Sequence, residues 1–207
     1  MFSLPGREQA VVVLIVVVAV LVVLAIALVA MYNSLVRARH AWQNAYAQID
    51  VQLSRRHDLI PNLVETVKAY MRHEQQTLAA VTSARAAAIQ ARAVATPGDP
   101  ATMAALSGAE NALTGSLGRL FVVGENYPEL KADQNMRQLA EELTSAENRV
   151  AFARQAYNDA VMVYRNKQDT FPSNLVASTF AFPAAAYLEL DEPDKRAAPR
   201  IALDSGE

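Results

Sequence analysis

Two hydrophobic patterns divide the chain. Between Glu8 and Arg37 no residue is charged, and positions 10–31 read AVVVLIVVVAVLVVLAIALVAM, which is apolar on every face of a helix. At 1.5 Å rise per residue this run measures roughly 33 Å, close to the ~30 Å hydrocarbon thickness of a bilayer. Val and Ile are mediocre helix formers in water. In lipid a helix is enforced, because every backbone polar group must bond within the segment. A core helix of a soluble protein is seldom apolar all round, and the apolar region of a cleaved signal peptide is shorter, at roughly 7–15 residues. An uncleaved membrane anchor is the expectation.

From Leu35 the pattern becomes a stripe. Leu35, Ala38, Trp42, Ala45, Ile49 and Leu53 are spaced in alternating steps of three and four, which suits a helix packed on other helices. Neither Gly nor Pro separates this stripe from the apolar run, so one helix is expected from about residue 8 to about residue 56. Pro61 lacks an amide hydrogen and its ring crowds the carbonyl of His57. A second helix is therefore expected over about 59–95, with Asp58 as its cap, although a kink in one continuous helix satisfies the same residues. Ile60, Leu63, Val64, Val67, Met71, Leu78 and Val81 mark its buried face.

Thr96-Pro-Gly-Asp-Pro100 is a break, with Asp99 placed to cap a helix that starts at Pro100. The third helix is expected over about 100–126 on the stripe Met103, Leu106, Leu113, Leu117 and Leu120. Its glycines, Gly108, Gly115, Gly118 and Gly124, either weaken it or allow close helix approach. Asn126-Tyr-Pro128 ends it. The fourth, over about 133–168, carries Leu139, Leu143, Ala146, Val150, Ala153, Tyr157, Val161 and Tyr164, and Phe171-Pro172 stops it. A short apolar piece, 175–182, follows. From Glu189 the chain is polar and carries Pro193 and Pro199, which predicts a disordered tail.

The fold class is thus all-α: a short polar N-terminus (1–9), a transmembrane helix (10–31) continuous with an antiparallel four-helix bundle (32–188), and a tail (189–207). Arg37, Arg39, Arg55 and Arg56 follow the span, whereas Arg7 with Glu8 precedes it. The positive-inside rule therefore leans towards a cytoplasmic bundle.

Composition removes several chemistries. There is no cysteine, so disulfides, thiolate nucleophiles and cysteine-ligated zinc are excluded. The net charge of −2 gives no electrostatic footprint for nucleic acid. His40, His57 and His73 form no paired metal-ligand spacing and read as solvated surface residues. The carboxylates read as polar-face residues, and Glu141 and Glu142 point about 100° apart on a helix. No phosphate loop, dinucleotide fingerprint or nucleophile elbow is present, and no Glu-x-x-His motif for a di-iron site. Arg55 and Arg56, with Arg37 and Arg39, form a modest basic cluster that reads as a solvated face and topology signal before it reads as a lipid site. Trp42, Tyr127, Tyr157 and Tyr164 read as packing residues. No catalytic, cofactor or metal site is expected. A hydrolase would need polar side chains converging inside the bundle.

Several stretches are more particular than a generic bundle. They include Tyr32-Asn-Ser-Leu-Val-Arg37, Ala41-Trp42, Gln48-Ile-Asp50-Val-Gln-Leu53, and Arg55-Arg56-His-Asp58-Leu-Ile-Pro61-Asn62-Leu-Val64. Further on come Thr66-Val-Lys-Ala-Tyr70, Glu125-Asn-Tyr127-Pro128-Glu-Leu-Lys131, Glu147-Asn-Arg-Val-Ala-Phe-Ala-Arg154, Tyr157-Asn158 and Phe171-Pro172. Together these resemble the LemA family of bacterial membrane proteins over about 10–190. Ala69 stands where the family usually has Gly, and the region around Phe180-Ala-Phe182 lacks an expected Gly. The resemblance implies a membrane helix followed by a helical bundle, in the bacterial inner membrane, with no established activity, cofactor or small-molecule substrate. The functional expectation is a non-enzymatic membrane scaffold in envelope homeostasis. Its partners would be the lipid bilayer, other copies of itself and other envelope proteins. The alternative is an adaptor or regulatory subunit of a membrane zinc peptidase, since family genes often lie near such enzymes.

Overall fold

The computed structural model describes residues 6–189, with side chains from Glu8 onward; the expected disordered tail falls almost wholly outside the described residues. Six helices account for nearly all of it: α1 Gly6–Tyr70, α2 Gln75–Val94, α3 Pro100–Gly124, α4 Pro128–Ala132, α5 Gln134–Asp169 and α6 Ser173–Thr179. No strand occurs among the described residues.

α1 is one rod of 65 residues, which at 1.5 Å rise is roughly 98 Å long. The large apolar side chains from Val11 to Val29 are exposed on every face, so nothing among the described residues covers this stretch. It is the one described helix long and apolar enough to cross a membrane. Cover begins at Leu35, which is fully buried, and continues through Ala38, Trp42, Ile49 and Leu53 as the stripe predicts.

α5 lies antiparallel along this part of α1. The pairing is read from Lys167 on Ser34, Tyr164 beside Trp42, Tyr157 beside Tyr46, Glu147 on Arg56 and Asp133 on Tyr70. As numbers rise on α1 they fall on α5. α2 also runs against α1, with Arg92 donating to the Asp50 carbonyl and Arg85 to the His57 carbonyl. α3 turns back and runs with α1, placing Glu110 beside Arg56 and His57.

The expected helix start at Asp58 does not occur. Asp58 is an exposed residue in mid-helix and Pro61 sits inside α1. An internal proline leaves the carbonyl four residues earlier without its amide donor. Here that carbonyl belongs to His57, and Arg85 Nε of α2 donates to it at 2.7 Å. A side chain from the neighbouring helix replaces the missing amide, so the rod continues. The break falls at residues 71–74, where neither Gly nor Pro marks it. Met71 is fully buried there, and Tyr127 donates to Glu74 at 3.4 Å.

The other boundaries follow local chemistry. Asp99 accepts from the amides of Ala101 and Thr102, with Pro100 at the first helical position. Asp133 caps α5 by accepting from the Met136 amide. At Gly98 a Cβ would lie 3.1 Å from the Ala184 carbonyl oxygen, so this glycine permits the close approach of the C-terminal segment. Gly108, Gly115 and Gly118 have open space instead, and α3 stays helical through them.

The apolar interior has two main parts. One gathers Trp42, Ile49, Leu53, Leu106, Val150, Tyr157 and Tyr164 at the end near the membrane helix. The other gathers Ile60, Leu63, Val67, Val81, Leu113, Leu120 and Leu143 at the far end. On α1 the first ends at Leu53 and the second starts at Ile60; on α3 the limits are Leu106 and Leu113.

Candidate functional site

The gap between the two apolar parts holds charge. On α1 the step from Leu53 to Ile60 passes through Arg56, which continues the three–four spacing of the stripe. On α3 the step from Leu106 to Leu113 passes through Glu110 in the same way. Helical periodicity therefore turns both side chains inward. Arg56 and His57 are each 2% exposed and Glu110 1%.

An isolated buried charge is unfavourable by several kcal/mol, so these groups must serve one another. Arg56 Nη1 donates to Glu110 Oε2 at 3.0 Å. Its Nη2 donates to Glu147 Oε1 at 2.8 Å and to the Thr114 hydroxyl at 2.7 Å. His57 Nε2 and Glu110 Oε1 are 2.8 Å apart. With a carboxylate as acceptor, Nε2 is the nitrogen that carries the hydrogen. Arg85 of α2 on the His57 carbonyl completes the set, so all four long helices contribute to one polar layer.

Three expectations are corrected here. His57 is a core residue and not a solvated one. Arg56 is buried and separates from Arg55, which stays exposed. Glu110 does not lie on a polar face. Polar side chains do converge inside the domain, as hydrolytic chemistry would require. Yet both Glu110 oxygens face Arg56 and His57. The clefts of about 640 Å³ near Arg165 and Tyr187 and about 790 Å³ near Lys68 and Gln75 are lined by other residues. Only Arg56 Nε and His57 Nδ1 in this layer are buried without a hydrogen-bond partner. The arrangement ties α1, α3 and α5 together at one level of the interior. Among the described residues no three His, Asp or Glu side chains gather where they could hold a metal ion.

A second constellation sits at the membrane-proximal end of α5. Its side chains read the backbone of the extended segment 182–189. Tyr164 donates to the Pro183 carbonyl at 2.7 Å and Tyr157 to the Ala186 carbonyl. Asn158 donates to the Leu188 carbonyl at 3.1 Å and accepts from the Leu188 amide at 3.0 Å, so one amide side chain satisfies both peptide groups. Burial first, and Tyr46 second, raise the Tyr157 hydroxyl far above its ordinary range, which keeps it a donor. The segment acts as a strap across the ends of α3 and α5.

The residues that stand out in the sequence do not form one site. Trp42 and Tyr157 share the membrane-proximal core, and Tyr157 with Asn158 holds the strap. Asp50 offers its carbonyl to Arg92 and its carboxylate lies 3.6 Å from Arg92 Nε. Asn62 is exposed, its carbonyl accepting from Thr66. Tyr127 and Pro128 form the turn into α4. Phe171 and Pro172, joined by a cis bond, form the turn between α5 and α6, with Phe171 exposed. His57, Arg85, Glu110 and Glu147 are functional to the fold; His57 and Glu147 lie within the family-like stretches without being singled out there, and Arg85 and Glu110 lie outside them. The available signal for Arg56 and Glu110 was a charge standing in a heptad stripe.

Comparison with known proteins adds context to this geometry. A family model described as LemA family matches residues 45–203, a span that starts after the membrane segment and runs into the polar tail. Two relatives from Paramagnetospirillum magneticum, Magnetosome protein MamQ 1 and MamQ 2, are each 25% identical over 78% of this chain. The chain spans 66% of their length, just under two thirds. Protein LemA of Metamycoplasma hominis is 24% identical over 84% of this chain and 74% of its own length. None of these names specifies a reaction.

Proposed function

The chain belongs to the LemA family, and from that membership we propose that it is a non-enzymatic, single-pass membrane scaffold whose bundle presents surfaces to other copies and to other envelope proteins. The observation that carries this reading is α1 itself. The helix that crosses the membrane is the same unbroken helix on which α2, α3 and α5 pack. A position in the bilayer is thereby converted into a rigid mast, extending roughly 58 Å from Tyr32 to Tyr70 at 1.5 Å per residue. The charged interior supports the same reading, since its groups are occupied with one another. Exposed apolar side chains on the bundle, among them Val122 at 67% and Phe152 at 73%, offer contact points for self-association. The positive-inside rule favours a cytoplasmic bundle, because Arg37 and Arg39 follow the span closely.

The test is purification of the full chain from native membranes after crosslinking, with mass measurement and identification of bound proteins. Oligomers, or one reproducible envelope partner, are expected. A monomer that carries no other protein would overturn the scaffold reading. A membrane peptidase as the sole partner would favour the adaptor role.

A further inference from the structure

Beyond the scaffold role, the structure holds a feature at the point where α1 leaves the apolar run. No residue from Thr170 to Phe182 is charged. This segment does not lie at random on the bundle. α6 packs Val176 and Ala177 against Leu35, with Met31 at the edge of the same contact. Tyr32, the first residue past the apolar run, meets the Phe180 ring edge-on at 5.0 Å and the Phe182 ring at 5.6 Å. The outward side of the segment is rich in large apolar groups, with Phe171 74% exposed, Leu175 58%, Phe180 60% and Tyr32 40%; Thr170, Ser178 and Thr179 are exposed beside them, and their hydroxyls donate to backbone carbonyls. The flanking charges are Asp169, which ends α5, Lys167 on Ser34, and Arg37 one turn beyond Ser34.

Single exposed hydrophobic residues are ordinary on a protein surface and need no partner. These four differ in their placement: Tyr32 directly follows the bare wall of the membrane helix and touches Phe180, and Phe171 and Leu175 lie on the same short uncharged segment as Phe180. Aromatic side chains at the end of a span, with cations just outside them, are the arrangement that suits a bilayer interface. We propose that Phe171–Phe180 is a second membrane contact, an interfacial collar that inserts Phe171, Leu175 and Phe180 into the leaflet at the bundle end of the span. The occupant is the acyl and glycerol region of phospholipid. The collar gives the mast two points of attachment, so that the bundle stands in one orientation instead of swivelling about a single helix.

The inference rests on the span being in lipid, and the test separates the two claims. The chain has no cysteine, so single nitroxide labels can be placed at will in the full chain. Phe171→Cys, Leu175→Cys, Ser178→Cys and Phe180→Cys report the collar. Val22→Cys reports the span, and Ser83→Cys with Ser145→Cys, both exposed, reports the bundle. Ser178→Cys removes no apolar group and keeps the reading secure if an aromatic replacement unsettles the turn. Each labelled protein is placed in vesicles of phosphatidylcholine and phosphatidylglycerol, and collisions with oxygen are compared with those of a water-soluble nickel chelate. The oxygen-to-nickel ratio at the collar should exceed that at the bundle positions several-fold and approach that at Val22. Collar ratios equal to the bundle's, with a high ratio at Val22, overturn the collar and leave the anchor standing. Labels shielded from both reagents, as a second copy would shield them, also overturn it. A low ratio at Val22 removes anchor and collar together.

Discussion

Arg85 and Pro61 are complementary across two helices: the proline withholds an amide hydrogen from the His57 carbonyl, and the arginine supplies one at 2.7 Å. This contact decides whether α1 is one helix or two. Without it a buried carbonyl in mid-helix would lack a partner, a loss of about 1–3 kcal/mol. Replacing Arg85 with Ala should lower stability by about that amount in denaturant unfolding. The Pro61→Ala background should reduce the effect, because an alanine there brings its own amide to the same carbonyl. A double-mutant cycle that returned strict additivity would refute the link.

Glu110 should be the most sensitive position in the polar layer. Glu110→Ala leaves Arg56 with the Thr114 hydroxyl and one carboxylate, Glu147, whose side chain is 42% exposed, and should cost roughly 3–5 kcal/mol, the range for breaking a buried pair. Replacing Arg56, His57 and Glu110 together with Met and Leu should recover much of this loss. The recovered protein is expected to show broader amide resonances, since the layer fixes how the helices align.

Stability should fall in acid, in part through Asp133. The Met136 amide, and next the Tyr70 hydroxyl, hold its carboxyl below the ordinary 3.8. A group with a folded pKa lower than its unfolded one contributes fully above the unfolded value and loses its contribution as pH drops through the folded value. Asp133→Asn removes that titration. The drop in Tm between about pH 5 and about pH 3 should therefore be shallower in the variant than in the wild type, a range set by ordinary carboxylate values. Identical slopes would assign the acid sensitivity elsewhere.

The strap should depend on Asn158 more than on any single apolar contact. Asn158→Leu removes the acceptor of the Leu188 amide and the donor to its carbonyl. An unmet amide costs about 1–3 kcal/mol, so exchange of the Leu188 amide should accelerate about ten- to a hundredfold, at 1.4 kcal/mol per tenfold. Amides at the centre of α5 should keep their rates.

Much of this architecture was legible along the chain because apolar periodicity is a property of one segment at a time. The uniform run of 10–31, the stripe from Leu35 to Leu53, the stripe of α5 and the Asp99-Pro100 start all state their environment through local spacing alone. The family motifs were equally legible, although they mark packing and turns more than a reactive site. Tertiary structure decided what depends on a distant partner. Pro61 ends a helix or stays within one according to whether another element brings a donor to His57, and that donor is Arg85, 28 positions from the carbonyl it meets. Arg56, His57 and Glu110 look solvent-borne in sequence because burying one of them alone is unfavourable; only their mutual approach across α1 and α3 makes the interior tolerable. The helix end at Tyr70 is announced by no breaker residue, and Met71 just past it is buried in the far apolar core.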